Sequence, residues 1–305
     1  MILGMFPGQG SQYVGMGSAL IESFPYVKEI FEEAEEGARF SIRKLCFDGP
    51  ESDLKLTMNT QPCLLAVSTA YHTVLKKELD FKPDIFAGHS LGEYSAVVAS
   101  GRLSILDAAR LVRSRGQFMQ DAVPAGVGAM AAVMNCPAEE LEEICQEISS
   151  LNGTSEIANY NSPKQIVIAG HREAVEKAQQ KLQEKYRVVL LPVSAPFHTS
   201  LMAPARQKMQ DLLLETKMSE SETPVIANLT GTKEVNYSPE FLIKQIDNPV
   251  KWTQSLECAS EIGIKTFVEI GPGKVLLGLA RKTLKGITVI PTDDIKTGLE
   301  KIASL

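Results

Sequence analysis

Short apolar runs alternate along the chain with longer stretches whose apolar residues recur every three to four positions. Short runs bounded by turn residues fit buried strands, and the longer period fits helices, so the alternation predicts an α/β protein. Residues 2–6 (ILGMF) predict a strand that runs into the glycine-rich segment PGQGSQ. Helical patterns follow at 15–23, 25–38 and 61–79, then a buried strand at 84–88 and further helices at 91–100 and 104–120.

After Gly126 the rhythm changes. Residues 128–134 read as a strand, 138–149 as a helix, 157–160 and 165–169 as a hairpin about Ser162-Pro163, 172–185 as a helix and 187–192 as a strand. The order β-α-β-β-α-β is that of the ferredoxin-like split unit. An inserted small domain is therefore expected at 127–193, within a larger α/β domain made of 1–126 and 194–305. The last recognisable unit is the strand 266–270, the turn Gly271-Pro272-Gly273 and a helix.

The chain has 305 residues, 44% hydrophobic and 22% charged, with a net charge of −6. That balance is ordinary for a globular protein with a sizeable core. An acidic chain is a poor general binder of nucleic acid, whose phosphates demand clustered Lys and Arg. The five cysteines contain no C-x-x-C pair, so neither zinc nor thioredoxin chemistry is expected, and reduced thiols fit a cytoplasmic location. The N-terminal MILGMF lacks the pattern of a signal peptide, and no apolar run is long enough for a membrane span.

The sharpest local feature is Gly88-His89-Ser90-Leu91-Gly92, a G-x-S-x-G between a predicted strand and a predicted helix. Its glycines permit a tight turn that exposes Ser90, and the helix N-terminus directs backbone N–H groups at the same spot. A plain strand–helix turn would leave the same trace in the sequence. A serine nucleophile needs a general base, and there are four histidines. His89 abuts Ser90 and would point elsewhere, His72 has the helical neighbours of a mostly solvated face, and His171 stands at a helix start in the small domain. His198, in the loop Ala195-Pro196-Phe197-His198, is the best placed, either as the base or as a loop histidine making one backbone bond.

Arg115 has Leu111, Val112, Phe118 and Met119 as its helical neighbours, which puts it on the buried face. A charge there needs a partner. It is either one half of a structural salt bridge, a snorkelling side chain, or the anchor of a ligand carboxylate. Arg113, two residues earlier, faces water. In PGQGSQ the dinucleotide fingerprint fails, since Tyr13 stands where the third glycine belongs, and Gly271-Pro272-Gly273-Lys274 is not a P-loop. Gly8 and Gly10 either make a turn or bring backbone close to a substrate carbonyl.

Taken together these segments resemble the malonyl-CoA:acyl-carrier-protein transacylases of type II fatty-acid synthesis and their trans-acting polyketide counterparts. The resemblance runs through Phe6-Pro-Gly-Gln-Gly-Ser-Gln12, Gln61-Pro62, Gly88-His-Ser-Leu-Gly-Glu93, Arg115-Gly-Gln-Phe-Met119, Asn161-Ser-Pro163, Pro196-Phe-His198, Asn248-Pro-Val250 and Glu269-Ile-Gly-Pro-Gly273. It implies an α/β-hydrolase-like domain carrying an inserted ferredoxin-like domain. It implies that Ser90 carries the acyl group, that His198 moves the proton, and that the N–H groups of Gln9 and Leu91 form the oxyanion hole. Arg115 would pair with the malonyl carboxylate, with Gln61 and Asn161 in support and Phe197 favouring malonyl over α-methylated groups. Many relatives have Gln after Asn-Pro-Val where this chain has Lys251, whose backbone carbonyl is expected to orient the histidine. The implied partners are malonyl-CoA and acyl carrier protein, with no cofactor, metal, nucleic acid or membrane and a monomeric state. A polyketide carrier as acceptor and a serine thioesterase are the alternative readings.

Overall fold

The computed structural model describes residues 1–193 and 195–305. The expected return from the small domain begins at Ser194, which lies outside the described residues. Among the described residues ten strands form two sheets. The larger sheet comprises β1 (Ile2–Phe6), β2 (Ile85–Gly88), β7 (Val225–Ile226), β8 (Lys233–Glu234), β9 (Thr266–Glu269) and β10 (Thr288–Pro291), in the order β10-β9-β1-β2-β7-β8. All its pairs are parallel except β7–β8.

Both faces of the sheet are covered at β1 and β2, which explains why these strands are buried at successive positions. Leu3, Met5, Ile85 and Ala87 join a core with Trp252, Leu256 and Leu276 from the helices Trp252–Glu261 and Val275–Thr283. Phe6 and Phe86 face the larger core, built from the helices Lys28–Ala38, Thr57–Leu79, Leu91–Ala99, Ile105–Asp121 and Ala203–Glu215. The helix Thr57–Leu79 is enclosed on nearly every side. His72, read from its neighbours as solvated, is therefore buried; it meets the rings of Phe6 and Phe86 edge-on at 6.2 and 5.3 Å. Its neighbours Ser68 and Thr69 are small polar residues that are also buried, so polarity marked no exposed face here.

The smaller sheet is antiparallel: β3 (Gly128–Met134), β4 (Ser155–Ser162), β5 (Gln165–His171) and β6 (Arg187–Leu190), in the order β4-β5-β3-β6. The two-residue alternation of a strand sorts its side chains. Ala129, Ala131, Val133, Ile166 and Ile168 pack under the helices Ala138–Asn152 and Arg172–Leu182. Met130, Ala132, Ala158, Val167 and Ala169 form the opposite face, with Leu191, Val193 and Phe197. Strand β4 is also fastened to the larger unit: Tyr160 N donates to Val250 O at 2.9 Å, Val250 N to Ala158 O at 2.9 Å, and Thr253 Oγ1 to Tyr160 O at 3.0 Å.

In the larger sheet Phe6 is registered opposite Gly88. The segments leaving the carboxyl ends of β1 and β2, Pro7–Gln9 and His89–Ser90, consequently emerge side by side, where open α/β sheets place their ligands.

Candidate active site

The turn after β2 is built for close approach. A Cβ on Gly88 would lie 1.9 Å from backbone of Gly92, and one on Gly92 would lie 2.1 Å from Phe6 O, so only hydrogen fits at either place. Between them Ser90 has φ 51° and ψ −107°, a conformation a non-glycine residue holds only when its surroundings enforce it. Asn228 supplies much of that enforcement: its Oδ1 accepts from Ser90 N at 2.7 Å and its Nδ2 donates to Gly88 O at 2.7 Å. Of the amides that open the helix, Gly92 N donates to His89 O and Glu93 N to Ser90 O. Leu91 N stands at the first helical position, where the helix itself offers no acceptor.

Ser90 Oγ lies 2.7 Å from His198 Nε2. On the far side of the ring, Nδ1 lies 2.9 Å from Gln245 O. A carbonyl only accepts, so Nδ1 carries the proton and Nε2 presents its lone pair to the hydroxyl. His198 is buried, and burial together with the neighbouring Arg115 charge pushes its pKa down to about 3. The ring is therefore neutral across the ordinary pH range.

The acceptor at Nδ1 corrects the expectation for Lys251. Lys251 caps the N-terminus of the helix Trp252–Glu261, and its carbonyl accepts from Ser255 N at 3.0 Å and Ser255 Oγ at 2.8 Å. That carbonyl opens the helical ladder and is spent within it. Gln245 instead closes the helix Pro239–Gln245, and the last carbonyls of a helix have no partner inside it. The sequence reading missed Gln245; its position at a helix end just before Asn248-Pro249-Val250 was the available signal.

Arg115 is 1% exposed, as its helical neighbours predicted. It donates to Gln61 Oε1 at 2.9 Å, to Gln245 Oε1 at 2.8 Å and to Ser90 Oγ at 3.2 Å, and its Nε has no hydrogen-bond partner among the described residues. Its hydrogen-bond acceptors are thus amides and a hydroxyl rather than a carboxylate. Desolvation lowers its pKa, yet guanidinium remains charged in proteins. Arg113, expected to face water, lies half-buried over the Phe40 ring, 4.6 Å from its centroid.

Glu93 is fully buried one helical position beyond Gly92. Its carboxyl accepts from Tyr237 Oη at 2.7 Å, Asn228 N at 3.2 Å and Gln245 Nε2 at 2.6 Å. Desolvation raises its pKa to about 7 against these donors.

A cavity of about 190 Å³ lies above Ser90, between the smaller sheet and the helices and loops of the larger unit. Gln9, Gln61, His89, Asn161, Arg115 and His198 supply its polar lining, and Met119, Met130, Val167, Leu191, Val193 and Phe197 its apolar wall. Asn161 Oδ1 is 2.8 Å from His89 Nε2, so His89 does point away from the serine. The Gln9 side chain reaches Thr57 Oγ1 at 3.3 Å. Lys251 is absent from this lining. Among the described residues no group of three or more His, Cys, Asp or Glu side chains is placed to hold a metal ion, and no helix is long and apolar enough to cross a membrane.

A serine on a strained elbow, a neutral histidine at hydrogen-bond distance and a buried cation beside both can support acyl transfer, and the model of the acyl transferase domain family matches residues 5–299. The malonyl CoA-acyl carrier protein transacylase of Bacillus subtilis (strain 168) is 43% identical over 300 residues, covering 96% of this chain and 93% of that protein. The crystal structure of the transacylase of the same name from Clostridium perfringens superposes with a TM-score of 0.94 at 40% identity, over 99% of this chain and 96% of that one. A malonyl-transacylase solved in complex with a type II polyketide-synthase acyl-carrier protein gives a TM-score of 0.93 at 37% identity, over 98% of this chain and 99% of that one. The chain belongs to the malonyl-CoA:acyl carrier protein transacylase family.

Proposed function

We propose that the protein moves a malonyl group from malonyl-CoA to the phosphopantetheine thiol of acyl carrier protein by way of an acyl-serine at Ser90. The carrier is that of fatty-acid synthesis, and a polyketide carrier is the alternative acceptor. The larger unit, 1–126 with 194–305, is α/β-hydrolase-like, and 127–193 is a ferredoxin-like insertion.

His198 Nε2 takes the proton of Ser90 Oγ as the oxygen attacks the thioester carbonyl. Gln245 O holds the opposite N–H and stabilises the imidazolium that forms. The amides of Gln9 and Leu91 face the developing oxyanion. The tetrahedral intermediate collapses, the CoA sulfur departs with the proton held on His198, and the serine ester remains. The carrier thiol then gives its proton to His198, attacks the ester, and the same steps run in reverse. One thioester is exchanged for another, so the overall transfer requires no other energy source.

One observation carries the malonyl reading: Arg115 is buried 3.2 Å from the Ser90 hydroxyl, and among the described residues its hydrogen-bond acceptors are amides and that hydroxyl. Glu93 acts on it through charge without accepting a hydrogen bond, so the guanidinium is free to pair directly with a planar anion. The malonyl carboxylate fits, and its charge offsets the cation that depresses His198, so the acyl group helps its own base. The apolar wall of the cavity, which includes Phe197, fits small acyl groups, and we read the enzyme as monomeric and cytoplasmic.

Intact mass after incubation with malonyl-CoA tests the reading. The protein should gain one malonyl group, and holo carrier protein should then remove it and gain the same mass. Free malonate with no acceptor present would point instead to a thioesterase.

A further inference from the structure

We propose that Glu93 is a positioning residue that aims Arg115 by dictating which end of the Gln245 amide faces it. The inference rests on the reading of Arg115 as the anchor of the acyl carboxylate. Glu93 does not line the cavity and touches no reacting atom. Its carboxylate meets Gln245 Nε2 at 2.6 Å, and that amide nitrogen also donates to Ser90 O at 2.8 Å. The other end of the amide, Oε1, is thereby turned to Arg115 at 2.8 Å.

The sense of that amide is the crux. A glutamine amide offers donors at one end and an acceptor at the other, and the guanidinium can only donate. With Oε1 toward Arg115 the contact is attractive; reversed, two donors would meet without water to relieve them. Gln245, Glu93 and Asn228 are all buried, so nothing but the protein fixes the choice. A carboxylate fixes it because both its oxygens accept. Tyr237 Oη and Asn228 N hold Glu93 Oε1 in place and leave Oε2 for Gln245. Protonation on Oε1 toward the Tyr237 oxygen would still leave Oε2 an acceptor, so the device works in either protonation state.

Glu93→Gln keeps the shape but not this property. Its side chain has one acceptor end, while Asn228 N and Gln245 Nε2 each require one from different sides. One of the two must then face an NH₂ group. Reversal of Gln245 relieves that clash at the expense of Arg115, which loses its acceptor, and of Ser90 O, which loses its donor. The His198 acceptor is untouched, because it is the main-chain carbonyl of Gln245.

The test compares transfer from malonyl-CoA and acetyl-CoA to holo carrier protein, reported as the malonyl-to-acetyl ratio of kcat/KM, in wild type, E93Q, E93D, R115A and R115A/E93Q. We expect E93Q to lower the ratio by about tenfold, the scale of one hydrogen bond to a charged group. E93D, shorter but still acceptor-only, should hold it within about threefold, and E93Q should leave the ratio of R115A unmoved, since coupled residues act through one another. A role in packing alone predicts the reverse order, E93D being worse than E93Q, or equal losses for both acyl groups; either result overturns the proposal. Should E93Q fail to fold, E93A takes its place: a ratio lowered about tenfold supports the inference, and one within about threefold of wild type rejects it. If R115A itself leaves the ratio unchanged, the anchor reading fails; if only R115A lowers it, the anchor stands and the role of Glu93 falls.

Discussion

The guanidinium of Arg115 and the hydroxyl of Ser90 are 3.2 Å apart, with the hydroxyl also 2.7 Å from the imidazole that would deprotonate it. A buried cation there favours a negative oxygen and opposes a positive ring. Which effect governs turnover depends on whether an acyl carboxylate occupies the guanidinium. Arg115→Ala is therefore expected to reduce malonyl transfer by about 10²-fold, near the upper end for a hydrogen bond to a charged group. Acetyl transfer should fall far less. Arg115→Lys should be a poor substitute, because it loses the planar fork. Equal losses with both acyl groups would make Arg115 a structural residue.

Removing the nucleophile should abolish the covalent step. Ser90→Ala is expected to show no malonyl adduct by peptide mass mapping and a loss of turnover of at least ~10³-fold. Cys63 and Cys46 are buried in the same core; an adduct found on either thiol would assign the chemistry elsewhere.

The pH dependence of kcat/KM carries a sign that follows from the depressed His198. With a folded pKa of about 3, the base stays neutral as pH falls well below the usual histidine range, so no acid limb should appear near pH 6.5 while the fold persists. Burial is the larger cause and the Arg115 charge the second. Arg115→Ala should thus raise the His198 pKa, moving the acid limb to higher pH for acetyl-CoA. An unshifted limb in that variant, with folding checked at each pH, would contradict the charge argument.

His72 offers a test of stability away from the site. Its folded pKa is lowered to about 4 from 6.5, first by burial and then by Lys76. Between those values the unfolded chain binds the proton and the folded one does not, so acidification from pH 6.5 toward 4 costs stability. Glu93 and Glu269, both raised to about 7 chiefly by burial, act in the opposite direction, since the folded state binds their protons more tightly. His72→Leu should remove the histidine contribution alone and flatten the loss of the urea midpoint on going from pH 6.5 to 4.5. A variant whose pH profile parallels the wild type would show that His72 does not titrate in the unfolding transition.

For Lys251 the expected effect is small. Its carbonyl is committed to Ser255, and its side chain does not line the cavity. Lys251→Gln should leave turnover with saturating malonyl-CoA within a few-fold of wild type. A collapse of turnover at unchanged melting temperature would restore this residue to the site.

Much of this was legible in the chain because each cue had one physical meaning. The G-x-S-x-G elbow needed glycines at Gly88 and Gly92 whatever the chemistry, and the helical count placed Arg115 in the core by geometry alone. Where a cue had two meanings the reading went astray. Ser68 and Thr69 beside His72 looked like a wet face, but small hydroxyl residues also pack inside helices that are covered all round. Beyond residue 200 little could be read, because strands such as Val225–Ile226 are two residues long and owe their existence to the neighbour they pair with. Gln245 was missed for a similar reason, since a place at a helix end marks a free carbonyl and not what that carbonyl meets. Its main chain serves His198, while its side chain joins Arg115 to Glu93, and contacts made across the chain leave no periodicity.

The seam between β4 and Val250 bears on how the enzyme works in time. Three hydrogen bonds would have to break together for one sheet to swing away from the other there. Along that edge the seam resists any widening of the slot above Ser90. A thin flexible arm can thread such a slot while the bulk of its owner stays outside, and both CoA and the carrier present their thiols on an arm of that kind. The exchange proposed for Ser90 then needs no hinge at this seam: the arm of CoA leaves the slot and the arm of the carrier follows it.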